Sequence, residues 1–205
     1  MPDGGEILAT RVAFLELKDE RRLIQEGYEL LDEKRVLLAT EIMRQLRRYG
    51  ALQAELARLG TEALAALEGA VAMHGFDKLT VEPKLDLAPA QVVVHEQGFL
   101  GLRLVEATLD DRVPPPGPEA RPTTPEARAC AAAYRLMIAR YVDLAACMAS
   151  LRRLIREYVR TERRARALEN VVLPEIDESL RFIEEQLDAV DQEEAVRVRN
   201  AAAAA

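Results

Sequence analysis

The stretch that decides the fold runs from Phe14 to Leu59, FLELKDERRLIQEGYELLDEKRVLLATEIMRQLRRYGALQAELARL. Phe14, Leu17, Ile24, Tyr28, Leu31, Leu38, Ile42, Tyr49, Leu52, Leu56 and Leu59 recur at steps of three, four or seven. That is the period of a helix burying one narrow stripe against another helix. Proline is absent from Glu6 to Met73. Arg21, Arg35 and Gln45 interrupt the stripe, and their polar ends are expected to reach toward solvent, weakening the seam locally while pinning its register. Gly27, Gly50, Gly60 and Gly69 each cost about 1 kcal/mol against alanine inside a helix, so a bend or fraying is expected after Tyr49.

Further along the chain, a second seam begins at Thr124-Pro125-Glu126, which supplies an N-cap, a first-turn proline and a carboxylate at the positive end of a helix. Cys130, Tyr134, Met137, Tyr141, Leu144, Met148, Leu151, Ile155 and Tyr158 keep the three-four rhythm, and Ile176, Leu180, Ile183, Leu187 and Val190 resume it. In between, Val172, Ile176 and Leu180 are spaced four and four, a stutter, and Pro174 removes the helical bond to the carbonyl of Asn170. A bend is expected there, not a stop.

The middle differs in kind. Val92-Val93-Val94, then Gln97-Gly98, then Leu100, Leu102 and Leu104 alternating with other residues predict a short β-hairpin. The proline-rich stretch from Val113 to Pro125 reads as a stiff exposed loop. The predicted architecture is therefore all-α: a long antiparallel two-helix coiled coil with a short β-hairpin and Pro-rich loop in the middle. Its segments are residues 1–73 and 124–200 as the helices and 74–123 as the middle end. The alanines 201–205 are left out of the fold reading. Helices of 65 to 75 residues span on the order of 100 Å at 1.5 Å per residue. In an antiparallel pair, facing residue numbers sum to a near-constant, here about 200 from the ends of the two seams. This sets Leu17 near Ile183, Ile24 near Ile176, and Gly27 opposite Asn170 to Pro174, where a residue without a side chain is expected to let the partner backbone approach closely.

Composition agrees with long helices. Of 205 residues 49% are hydrophobic and 31% charged, with no tryptophan, which suits one elongated helical domain better than two aromatic-rich globules. The formal net charge of −7 argues against wholesale binding to nucleic acid or an anionic membrane. Cys130 and Cys147, 17 residues apart on one helix, lie about 25 Å apart and are expected to be buried thiols of a reducing compartment. No basic n-region with an apolar run opens the chain and no stretch approaches a membrane span, so a soluble, cytoplasmic protein is expected.

Catalytic chemistry finds little footing. His74 and His95 are the two histidines, and His95-Glu96 lacks a second histidine four residues on, so no zinc-protease pair forms. No glycine-rich phosphate loop occurs, and neither a metal nor a nucleotide cofactor is expected. The basic run Arg152, Arg153, Arg156, Arg160, Arg163, Arg164, Arg166 resembles a groove-binding helix. However, heptads lie on both sides of it and no aromatic platform accompanies it, which favours a solvated face or a belt steering acidic protein partners.

Two blocks carry a family likeness. Thr10-Arg11, Leu15, Gly27, Leu30-Leu31, Lys34-Arg35 and Leu38 lie on the first helix. Arg163-Arg164-Ala165-Arg166-Ala167-Leu168-Glu169, Val171-Val172-Leu173-Pro174 and Arg181-Phe182-Ile183 lie on the second. Together they resemble the D subunits of V-type and A-type rotary ATPases. Arg166 stands where that family commonly has asparagine, Ala165 where it has valine, and Asp32-Glu33 where it is commonly basic. The resemblance implies a non-catalytic central-stalk subunit, the rotor axle, which couples ATP hydrolysis or synthesis in a ring of A and B subunits to ion passage through a membrane rotor ring. It further implies an F-like small stalk subunit and a funnel-like subunit as partners, with neither nucleic acid nor direct membrane insertion. The protein would be held peripherally at a membrane through the complex. Thr10, Arg11, Gly27, Lys34, Arg35, Arg163, Arg164, Leu168, Glu169, Pro174 and Arg181 are the candidate partner-binding or coupling residues. The other readings are a scaffold or tethering coiled coil and a nucleic-acid-binding basic helix.

Overall fold

In a computed structural model, which describes residues 9–75, 90–110 and 124–203, the order of elements is α1 (Arg11–His74), β1 (Gln91–Phe99), β2 (Leu102–Asp110), α2 (Pro125–Ala167), a π-helical turn (Leu168–Val172) and α3 (Leu173–Ala203). The predicted two-helix coiled coil with a hairpin is the observed architecture. Most of the Pro-rich stretch, residues 113–123, lies outside the described residues. Cα proximity divides the chain into two units, residues 1–37 with 158–205 and residues 38–157.

In the unit of residues 38–157, α1 and α2 pair antiparallel. Gln45 meets Cys147, Glu55 meets Arg140, and His74 meets Thr124. Leu38 and Leu154 are fully buried, Leu56 and Leu59 nearly so, and each leucine-sized side chain contributes about 1.5–3 kcal/mol. Thr124 caps α2, its hydroxyl accepting from the Ala127 N–H at 3.3 Å. The fraying expected after Tyr49 does not occur: α1 runs unbroken to His74, and Ala63 and Ala70 extend its buried stripe beyond Leu59. Small seam residues let helices pack closely enough to outweigh the glycine cost.

Gln45 also departs from expectation. It is 5% exposed, donates to Glu41 at 2.9 Å, and its backbone carbonyl accepts from the Cys147 thiol at 3.5 Å. A polar residue with a neighbouring acid and a facing thiol stays in the seam instead of reaching for water. Burial pushes the Cys147 thiol up, so it stays protonated at neutral pH. On α2 the seam runs through Cys147, Ser150, Leu151 and Leu154, whereas the expected seam residue Ile155 is 48% exposed. Leu151 is buried as expected, but at the next turn the seam passes through Leu154 and not Ile155, its neighbour of equal size.

The hairpin pairs Gln91 with Asp110 through to Phe99 with Leu102. Its turn is Leu100-Gly101, with φ of 48° and 83°, not the expected Gln97-Gly98. Two successive positive φ values mark a two-residue type I′ turn, which matches the twist of the strands, and Gly98 is drawn into β1 opposite Arg103. Ser150 fastens β2 to α2. Its hydroxyl accepts from the Val105 N–H at 2.7 Å and donates to the Val105 carbonyl at 3.0 Å.

In the other unit, Ile176 and Ile183 of α3 and Thr161 and Ala165 of α2 form the buried stripe. As expected, the helix does not stop at the stutter; the chain makes a π-helical turn there, in which the Leu173 N–H bonds the Leu168 carbonyl, five residues back. Pro174 cannot donate to Asn170, and the wider turn takes up the extra residue that the four-four spacing inserts. α3 continues through Ala203, so the first of the alanines left out of the sequence reading prolong the helix.

Candidate functional site

The sequence-predicted site residues fall in one unit, residues 1–37 with 158–205. Ion pairs bridge the two helices there. Arg11 forks onto both oxygens of Asp191 at 3.0 Å, Arg21 reaches Asp177, and Arg35 reaches Glu162 at 2.9 Å. These number pairs sum to 202, 198 and 197, close to the expected constant. Arg21 and Arg35, taken from sequence as solvent-seeking interruptions, instead meet an acid on the facing helix. An antiparallel register places Asp177 and Glu162 where those guanidinium groups end, and an ion pair with a hydrogen bond is favoured over a half-buried free cation.

The Arg35 pair belongs to a larger cluster. Arg35 also contacts Asp32, and Glu162 also accepts from Arg166 at 2.8 Å. The Glu162 carboxyl is held below its ordinary range, chiefly by its hydrogen bond from Arg35. Asp177 is lowered likewise, first by the hydrogen bond from Arg21 and further by the nearby Arg181. Glu169 stands beside the Tyr28 hydroxyl, and its negative charge is the main cause that raises that hydroxyl's pKa.

Several candidates therefore have structural work. Thr10 is the N-cap of α1, its hydroxyl accepting from the Ala13 N–H at 3.1 Å. Arg11, Arg35 and Glu169 face the opposite helix. Leu168 supplies the carbonyl that closes the π turn, and Pro174 is exposed just beyond it. Gly27 lies next to Tyr28 in the expected neighbourhood, but a Cβ built on it meets nothing within 4 Å. The expected close backbone approach is thus not the reason for glycine there, since a methyl group would fit.

Two surfaces of this unit face outward. On α1, Leu23, Leu30 and Leu37 are 69%, 68% and 50% exposed and seven residues apart, so they line one side of the helix away from the buried stripe. Exposed Glu26 and Glu33 flank them. On α2, Arg160, Arg163 and Arg164 are exposed and form no ion pair among the described residues. Large apolar side chains in water on α1 and exposed cations on α2 are the parts of this unit that its own packing does not use. Sequence reasoning missed the leucine row because it sought a single seam; the seven-residue repeat of Leu23, Leu30 and Leu37 was its signal. It also missed Asp191, Asp177 and Glu162, each of which lies within three residues of the register constant less the arginine's number.

Among the described residues no group of three or more His, Cys, Asp or Glu side chains is placed to hold a metal ion, and no helix is long and apolar enough to cross a membrane.

Comparison with known proteins matches residues 13–203 to the family model of the ATP synthase D subunit. The A-type ATP synthase D subunit of Pyrococcus abyssi is 29% identical over 97% of this chain and 94% of its own length. The A-type D subunit of Methanopyrus kandleri is 26% identical over 95% of this chain and 84% of its own. The V-type D subunit of Thermus thermophilus is 28% identical over 95% and 87%.

Proposed function

The chain belongs to the family of ATP synthase D subunits, whose members are non-catalytic stalk subunits, and from that premise we propose that it is the rotor axle of its complex. It couples ATP turnover in a ring of A and B subunits to ion passage through a membrane rotor ring. The observation that carries this reading is the ladder of cross-helix pairs, Arg11 with Asp191, Arg21 with Asp177 and Arg35 with Glu162, spaced along the stripe that buries Ile176 and Ile183. An axle must not let one helix slide along the other under torque. Slippage here breaks charge-assisted bonds and pulls isoleucines out of their stripe together.

The outward surfaces fit the same role. The leucine row and the free arginines of that unit contact the A and B subunits. The unit with the hairpin faces the F-like small subunit and the funnel-like subunit, through which the protein is held at a membrane. Rotation is the direct test. The complex is immobilised through its A and B subunits, a bead is attached to this chain, and ATP is added. Stepwise turning of the bead is expected, and a stationary bead during undiminished ATP hydrolysis would overturn the proposal.

A further inference from the structure

The buried polar groups of the unit of residues 38–157 collect at one place. Of the four polar or charged side chains buried among the described residues, Glu41, Gln45 and Ser150 stand where α1, α2 and β2 meet, and Thr161 belongs to the other unit. Burying such groups costs free energy unless each finds a partner, and here the partners follow one another from element to element. On α1, Arg44 forks onto both oxygens of Glu41 at 2.7 Å, and Gln45 donates to the same carboxylate at 2.9 Å. Across the seam, the Cys147 thiol of α2 donates to the Gln45 carbonyl at 3.5 Å. One turn further along α2, Ser150 holds both backbone groups of Val105 on β2. The next residue of β2, Glu106, accepts from Arg48 of α1 at 2.9 Å, and its charge also acts on Arg44. The contacts close a ring: α1 to α2 through Gln45 and Cys147, α2 to β2 through Ser150, and β2 back to α1 through Glu106.

A ring differs from a set of separate contacts in what it takes to open it. Val105 and Glu106 are adjacent on a paired strand, so the two anchors of β2 cannot move apart from each other. If α1 and α2 part at Gln45 and Cys147, either the Ser150 anchor or the Glu106 anchor must let go. With one anchor already gone, the strand hangs from a single helix and resists nothing. Contacts joined in this way are coupled, so the effects of breaking two of them do not simply add.

We infer that the hairpin is a strap: held by Ser150 on one side and by Arg48 through Glu106 on the other, β2 keeps the α1–α2 seam closed at the Gln45–Cys147 layer, so that displacing the hairpin loosens the helix pair there. Every contact in the ring lies within one unit, so the strap stands whether or not the chain turns.

Cys147 is the probe, because it is 2% exposed and meets a reagent only when the seam opens. The full-length chain is treated with an excess of a thiol reagent, and mass spectrometry follows the label at Cys147 and, separately, at Cys130, a buried thiol of α2 outside the ring. Glu106→Gln should speed labelling of Cys147 by about two- to fivefold, the equilibrium effect of losing an exposed ion pair, and leave Cys130 unchanged. Arg48→Gln should speed it as well. Glu96→Gln, which removes an ion pair with Arg103 inside the hairpin, should change neither thiol. Ser150→Ala should also speed Cys147, and on that background Glu106→Gln should add nothing, since the strap is already off one helix. The Arg48 charge by itself acts on the thiol, drawing its pKa down against the upward push of burial. If that charge were the whole effect, Arg48→Gln would slow the labelling, and Glu106→Gln would multiply the rate equally in both backgrounds. Either result overturns the inference, as does an unchanged Cys147 rate in Glu106→Gln or an equal rise at Cys130, which would mark a general loosening of the helix.

Discussion

Replacing Ser150 with alanine removes one oxygen that makes two bonds, and the consequences for the hairpin can be worked out. Ser150 is 1% exposed, while Val105, whose N–H and C=O it serves, is partly exposed. Each lost bond costs about 0.5–1.5 kcal/mol if water reaches the freed group, and about 1–3 kcal/mol if it does not. With Val105 half open to water, the lower range applies, and two bonds give about 1–3 kcal/mol. At about 1.4 kcal/mol per factor of ten, that is a loss of roughly 5- to 100-fold in the protection of the β2 amides. The helices lose no bond of their own, so helical ellipticity should stay unchanged. Ser179→Ala serves as the control: its hydroxyl bonds the Glu175 carbonyl on an exposed turn, and within about 0.5 kcal/mol nothing should change. Amide exchange measured by NMR on both variants reads the difference. If Ser150→Ala left the Val105 amide as slow as before, the hairpin would be held by something other than this hydroxyl.

Leu38→Ala, at a fully buried site, should destabilise the chain by about 3–5 kcal/mol in urea unfolding, whereas Arg11→Ala, in an exposed pair, should cost under about 1 kcal/mol. Stability should fall in acid. Glu41, Glu162 and Asp177 all have folded pKa values below their ordinary ones, so their contribution is present above about pH 4.3 and is lost as pH drops through the folded values. The urea midpoint between pH 7 and pH 3 reads this, and Glu162→Gln should make the decline shallower; an unchanged decline would remove Glu162 from the account. Leu23→Ser with Leu30→Ser should leave the isolated chain's melting within about 0.5 kcal/mol per site yet weaken its incorporation into the complex. A large drop in melting would show these leucines to be core.

Much of the fold was readable because long helices announce themselves by periodicity. The cap at Thr124 and the stripe through Leu38, Leu56 and Leu59 follow from local rules of helix chemistry. The features that escaped depend on partners far off in sequence. Gln45 reads as a flaw in a seam until Cys147 stands opposite it, and Ser150 reads as a filler until β2 arrives. The turn at Leu100-Gly101 was hidden because a leucine at positive φ contradicts its own preference, and only strand pairing selects it. The candidate residues were legible as a pattern, but not their tasks: Thr10 caps the start of α1, and Arg35 faces inward to Glu162.

The π turn at Leu168–Val172 also says something about ancestry. A widened turn stores one surplus residue without rotating the helix beyond it, so Ile176 and Ile183 face the same way as they would on a plain helix one residue shorter. The segment is thus a place where the chain's length can change by one at little cost, shrinking to ordinary α-helix or widening again, while every position beyond keeps its compass bearing. An added residue elsewhere along α2 or α3 has no such reservoir and would turn the remaining stripe by about 100° toward water. Relatives that differ in count between the two matched blocks are expected to place the difference here.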